Sequence, residues 1–114
     1  MFRPFFYLPL VLWTGAAAAQ SCSEIRFAPG TASGEVTAGV TDGRPACFRF
    51  GSGNDQVARI QLFGSENACF NVRGVVDCQD DFSFRTERQT YVIDVTQLFP
   101  APDIEDVRIR LTIE

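Results

Sequence analysis

Near the C-terminus, Val107, Ile109, Leu111 and Ile113 alternate with Arg108, Arg110 and Thr112. A period of two sends successive side chains to opposite faces, so this segment is a strand with one buried and one wetted face. The alternation recurs upstream. Val36, Ala38 and Val40 interleave with Glu35, Thr37 and Gly39, and Ala46, Phe48 and Phe50 interleave with Cys47 and Arg49. One-sided burial of this kind belongs to antiparallel sheets. Between the two runs lies Thr41-Asp42-Gly43-Arg44, and Asp-Gly accepts the positive φ angles of a tight turn, so residues 35 to 50 are expected to form one hairpin.

Gly51-Ser52-Gly53-Asn54-Asp55 is a second turn signal, after which Val57 to Phe63 places Ala58, Ile60 and Leu62 on one parity and Arg59 and Gln61 on the other. Gly64 to Asn67 interrupts that strand. Ala68 to Val72, Phe82 to Thr86 and Thr90 to Leu98 follow as further strands, the last rich in Tyr, Val and Ile, which suit a pleated surface. Pro100 and Pro102 mark a loop before the final strand. With a first strand at Ile25 to Ala28 the total is about eight, spaced as in sandwiches and barrels, and no segment carries a helical period. The expected fold is all-β: an antiparallel, jelly-roll-like sandwich.

The N-terminus departs from this alternation. Phe5 to Trp13 is a nearly continuous apolar run behind Arg3, and Ala17-Ala18-Ala19 supplies the small residues a signal peptidase accepts. Residues 1–19 are therefore read as a signal peptide and residues 20–114 as one mature domain, periplasmic or secreted, with no membrane span of its own. A domain this small buries only about 60 to 65% of its unfolded surface, so cross-links help it.

All four cysteines, Cys22, Cys47, Cys69 and Cys78, lie behind the signal, where thiols oxidise to disulfides. Cys69 and Cys78 are close enough in sequence to staple a short loop, which leaves Cys22 for Cys47. Counting alone leaves the other two pairings open. No Cys-x-x-Cys pair of the zinc-binding kind occurs, and no metal or other cofactor is expected. Lipid attachment at Cys22 is the alternative use of that residue, but Gln20 suits a lipobox poorly and one thiol would be left over.

Charge and composition narrow the chemistry. Without Arg3 the mature part holds nine arginines, scattered along the chain, against fourteen Asp plus Glu. An acidic domain without a basic cluster lacks the footprint of a nucleic-acid binder and attracts basic partners instead. There is no histidine and no lysine. The commonest general base, the usual partner of a catalytic serine or cysteine and the Schiff-base amine are all missing, which leaves carboxylate chemistry or none. Asp77, Asp80 and Asp81 form the densest acidic cluster, with Arg73, Arg85 and Arg88 nearby. Four uses compete for the cluster: a solvated loop, an edge for a basic partner, a calcium site, or a glycosidase pair at Asp77 and Asp80. Arg108 and Arg110 read as the wet face of the last strand. Phe48, Phe50, Phe82, Phe84 and Phe99 are expected to fill the core, whereas an exposed row of Phe63, Phe70 and Phe99 would serve sugar stacking.

The order of these segments resembles a known group. Ile25-Arg26-Phe27, Gly30, the run Ser33-Gly34-Glu35-Val36-Thr37-Ala38-Gly39-Val40, and Phe48-Arg49-Phe50 with its glycine turn look like the bacterial pre-peptidase C-terminal domain. Ala58 to Leu62, Tyr91 to Val95 and Val107 to Ile113 continue the likeness over nearly the whole mature chain. Among free-standing exported proteins, the chain is similar to the periplasmic inhibitors of goose-type lysozyme in length, strand order and the Ser-Gly-Glu segment. That resemblance implies a monomeric, non-catalytic binding protein. Its partner would be an extracytoplasmic protein, a lysozyme or other hydrolase, and its contacts would lie around Ser33 and Gly34 and between Arg73 and Arg88. The wider group implies an envelope glycan as the alternative ligand.

Overall fold

The computed structural model describes residues 22–27 and 29–114, and the signal expected at residues 1–19 lies outside them. Strands run in the order β1 (Ser23–Glu24), β2 (Ser33–Val40), β3 (Ala46–Ser52), β4 (Val57–Phe63), β5 (Ala68–Val72), β6 (Val76–Gln79), β7 (Asp81–Arg85), β8 (Gln89–Gln97) and β9 (Glu105–Ile113). They form two sheets, β1-β3-β8-β5-β6 and β2-β9-β4-β7. From β2 onward the chain changes sheet at every connection except β5 to β6. With β1 set aside, this is the strand order of a jelly roll.

The alternating residues meet between the sheets. Phe48 and Phe50 of β3, Ile60 and Leu62 of β4, Phe70 of β5, Tyr91, Ile93 and Val95 of β8, and Val107, Ile109 and Leu111 of β9 form one buried cluster. Phe50 stacks on Tyr91, and the Phe84 ring meets Tyr91 edge-on at 5.1 Å between centroids. Burying each such side chain stabilises the fold by roughly 1.5–3 kcal/mol.

Three expectations need correction. Residues 35 to 50 contain the expected turn but not a hairpin, because β2 pairs with β9 and β3 with β8. Arg44 N donates to Thr41 O at 3.0 Å, and within the turn only Gly43 has a positive φ, 75°. A turn of that hand splays its strands, whereas the doubly positive form would keep them paired. The chain therefore crosses from one sheet to the other. Secondly, the described residues hold nine strands, because β6 occupies residues read as loop; its Val76-Asp77-Cys78-Gln79 has one aliphatic residue and no alternation to announce it. Thirdly, the first strand lies at Ser23–Glu24 and not at Ile25 to Phe27, Ala28 of the expected segment lying outside the described residues, and it runs parallel to β3, with Ser23 opposite Phe48.

Both favoured disulfides form, Cys22 to Cys47 and Cys69 to Cys78, with Cα atoms 4.6 and 4.9 Å apart. The first bridge removes Cys22 from any lipid-anchor role. Strand parity puts Cys47 and Cys69 on the outer face of the five-stranded sheet, on either side of β8, where their register partners are Asp94 and Thr96. Each bridge thus clips an edge strand, β1 or β6, onto its neighbour from outside, where a lone edge strand would otherwise fray.

Candidate functional site

Strand direction sorts the loops into two groups. Connections 41–45, 64–67, residue 80 and 98–104 lie at one end of the sandwich; 29–32, 53–56, 73–75 and 86–88 lie toward the other. The residues singled out in the sequence are divided between the ends and are not gathered into one site.

Toward the second end, Ser33 opens β2 opposite Thr112. Gly34 is buried beneath the preceding segment, because a Cβ there would stand 2.6 Å from Arg26 O and 2.9 Å from the Phe27 ring. Its lack of a side chain therefore has a packing cause. Arg73 folds onto the outer face of the five-stranded sheet, donating from Nε and Nη2 to the two carboxylate oxygens of Asp94 at 2.7 and 2.9 Å. Arg85 donates to Asp55 Oδ1 at 3.0 Å, and Arg88 N donates to Asn54 Oδ1 at 2.7 Å. Buried Thr86 locks this end, donating to Gly53 O at 2.7 Å while accepting from Gln56 N at 3.2 Å.

The acidic cluster is pulled apart by the strands. Asp77 lies exposed in edge strand β6, Asp80 at the corner into β7, and Asp81 at the start of β7. Asp81 accepts both Nε and Nη2 of Arg59, at 3.0 and 2.7 Å, and these bonds hold its carboxyl below its usual range. A carboxylate engaged in this way is a structural partner and does not supply a proton. Among the described residues no group of three or more His, Cys, Asp or Glu is placed to hold a metal ion.

The first end has a different construction. Glu105, at the start of β9, accepts hydrogen bonds from Ser65 Oγ, from Asn67 Nδ2 at 2.8 Å and from Gln97 Nε2 at 2.9 Å. These donors, chiefly Ser65 and Asn67, hold its carboxyl below the ordinary value of 4.5. Asn67 also grips the backbone of Phe99 on both sides, Nδ2 donating to Phe99 O at 2.9 Å and Oδ1 accepting from Phe99 N at 3.0 Å. Gln97 Oε1 accepts from Ala101 N at 3.0 Å. Loops 64–67 and 98–104 are thus tied together and hold Leu98, Phe99 and Ile104 outward, 46, 75 and 68% exposed. Phe99 was expected in the core, but clamping its backbone at the strand end turns the ring to solvent. Beside it opens a groove of about 720 Å³ whose lining includes Leu62, Ala68, Leu98, Glu66 and Asp80.

On the outer face of the four-stranded sheet, Arg108 and Arg110 lie over the Phe63 ring, 4.8 and 5.1 Å from its centroid, and both are within ion-pair distance of Glu35. Phe63 is half-buried and Phe70 is fully buried, so no exposed row of Phe63, Phe70 and Phe99 exists for sugar stacking.

Nothing in the sequence announced the clamp. Glu105 lies 38 residues from Asn67, and only the meeting of two loops makes them partners. The one local signal was Leu98-Phe99 standing between a strand end and Pro100, where no core parity applies.

No protein-family model and no curated protein matches this sequence. Solved structures do. A periplasmic inhibitor of g-type lysozyme from Aeromonas hydrophila, PliG, is 19% identical over 82% of this chain and 96% of its own, with a TM-score of 0.71. PliG from Salmonella Typhimurium is 13% identical over 84% of this chain and 100% of its own, with a TM-score of 0.68. A mutant of the g-type lysozyme inhibitor from Escherichia coli gives 14% identity, the same coverage and a TM-score of 0.61. At these identities the likeness is one of fold.

Proposed function

We propose that this protein is an exported inhibitor-type binding protein whose partner is a lysozyme or another extracytoplasmic hydrolase. The observation that carries the reading is a jelly-roll sandwich shared, over four fifths of the chain, with proteins described as periplasmic lysozyme inhibitors. The chemistry agrees with it. A chain without histidine or lysine, whose Asp81 is committed to Arg59, has few groups with which to catalyse and many with which to bind. Its acidity would steer it toward a basic enzyme. The signal at residues 1–19 would deliver it to the periplasm.

The candidate contacts implied by the resemblance fall on separate surfaces, Ser33, with Gly34 packed behind it, Arg73, Asp77, Arg85 and Arg88 on one side and Asp80 and Asp81 at the opposite end, and a single partner would engage one of the two. The test is direct: residues 20–114, purified in oxidised form, are added to goose-type, chicken-type and invertebrate-type lysozymes. Loss of lytic activity of at least one at micromolar protein is expected. If none is inhibited, lysozyme as the partner is overturned, and retention on insoluble peptidoglycan would then favour a glycan-binding role of the pre-peptidase kind.

A further inference from the structure

Charge is unevenly distributed between the two ends. The connections at the Phe99 end carry Asp42, Glu66, Asp80 and Asp103 against Arg44, and Glu105 and Asp106 open the adjoining strand. Those at the other end carry Asp55 and Glu87 against Arg73 and Arg88. The net acidity of the molecule is thus concentrated around the loop that also exposes its largest apolar side chains.

Those side chains are held out and do not dangle. Asn67 pins Phe99 through both backbone polar groups, and Glu105 pins Asn67, so the ring is presented from a loop that has already lost its freedom. A partner that takes up the ring has little further ordering to impose, which is how a pre-organised anchor gains affinity. An aromatic anchor with polar surroundings that exclude water is the usual anatomy of a binding hot spot. The adjoining groove is mostly polar; exposed Leu98 is its chief apolar wall, beside nearly buried Leu62 and Ala68, and Glu66 and Asp80 contribute carboxylates. That combination fits a lysine or arginine, whose stem is apolar and whose head is cationic.

We propose that the acidic end is the docking end of this molecule. Phe99 enters an apolar cavity on a basic protein, and Glu66 and Asp80 receive a cationic side chain from the rim of that cavity. The choice of a lysozyme as probe rests on the inhibitor reading above; the location of the surface does not. A second copy of this chain is a poor occupant, because it would bring the same carboxylates into contact.

The experiment has two arms. In the first, goose-type lysozyme is titrated with the wild-type mature protein and with Phe99→Ala, Asp80→Arg and, as an exposed apolar control at the other end, Val57→Ala. Phe99→Ala weakens binding about thirtyfold, the loss expected of an anchor. Asp80→Arg slows association in a salt-dependent way, and Val57→Ala changes nothing. Undiminished binding by both Phe99→Ala and Asp80→Arg overturns the proposal and leaves the inhibitor reading intact. In the second arm, isotope-labelled protein is titrated with a cationic peptide of alternating leucine and lysine. Amide shifts confined to 98–104, Glu66 and Asp80 support the proposal even if no lysozyme binds. Shifts centred on the other end, or a Phe99-dependent dimer in sedimentation, overturn it.

Discussion

Thr86 and Asn67 occupy comparable places, each in a loop at one end of the same sandwich and each tying neighbouring backbone with its side chain. Thr86 is 4% exposed and bonds to Gly53 and Gln56, which draws loops 53–56 and 86–88 together and closes that end. Tyr91 reinforces the closure, its hydroxyl accepting from Glu87 N at 2.9 Å. Asn67 makes the same kind of bonds to a backbone that it holds away from the core, so that Phe99 remains exposed. The contrast shows that similar hydrogen bonds either seal an end or present a loop, depending on which side of the clamp the apolar residues fall. A sealed end with balanced charge adds stability, and a presented loop with an acidic surround is suited to recognition.

The largest expected effect comes from removing a bridge. Replacing Cys69 and Cys78 together with serine lowers stability by about 3 kcal/mol in the loop-closure account, measured by urea unfolding. Because Cys69, Cys78 and Asp80 all line the groove, this change also weakens binding at the acidic end, whereas the Cys22 and Cys47 pair of substitutions destabilises without that loss.

Thr86→Val comes next. It keeps the volume and leaves Gly53 O and Gln56 N without their partner, costing about 1–3 kcal/mol, with binding at the Phe99 end unchanged. A binding defect in Thr86→Val would show that the ends are coupled and would break the comparison. Asn67→Ala has the opposite profile. Its stability cost is smaller, about 1 kcal/mol, since water reaches the freed Phe99 backbone. Hydrogen exchange at Phe99 speeds up, and affinity drops although no contact residue has been removed.

Acid sharpens the contrast further. Hydrogen bonds from Ser65, Asn67 and Gln97 lower the Glu105 pKa from 4.5, and the hydrogen bond from Arg110 does the same for Glu35. A carboxyl whose folded pKa is depressed binds its proton more readily in the unfolded chain. Its stabilising contribution is therefore complete above the ordinary value and is lost as pH falls through the folded one. The melting temperature is expected to fall below about pH 4.5, with exchange at Phe99 rising over the same range. Glu105→Gln makes that local rise smaller while already showing faster exchange at neutral pH. The smallest effect belongs to Arg85→Ala. Its ion pair with Asp55 is open to solvent on both sides, so no resolvable change in melting temperature is expected.

Much of the architecture was legible from spacing alone. The parity of Val107 to Ile113, of Ala58 to Leu62 and of Phe48 with Phe50 marks residues that must leave water together, and all of them do so in the core apart from half-buried Ile113. The Cys69 to Cys78 spacing favoured a local bridge, and the bridge is present. Other features depended on neighbours distant in sequence. The hand of the turn at Asp42-Gly43 decided whether β2 and β3 pair or part, and β6 became a strand only because β5 offered it an edge. The acidic cluster at Asp77, Asp80 and Asp81 was visible as composition. That Asp81 is held by Arg59 while Asp80 lines a groove follows from the register of β4 with β7.

The sequence by itself determined the fold class, the core faces and the wealth of acid over base, because each follows from side-chain period or from counting. Only the tertiary structure decided where the acid gathers and which phenylalanine is turned outward. Those properties arise where Asn67 meets Gln97 and Glu105, the residues on either side of loop 98–104, which sheet crossing and not proximity in the chain brings to it.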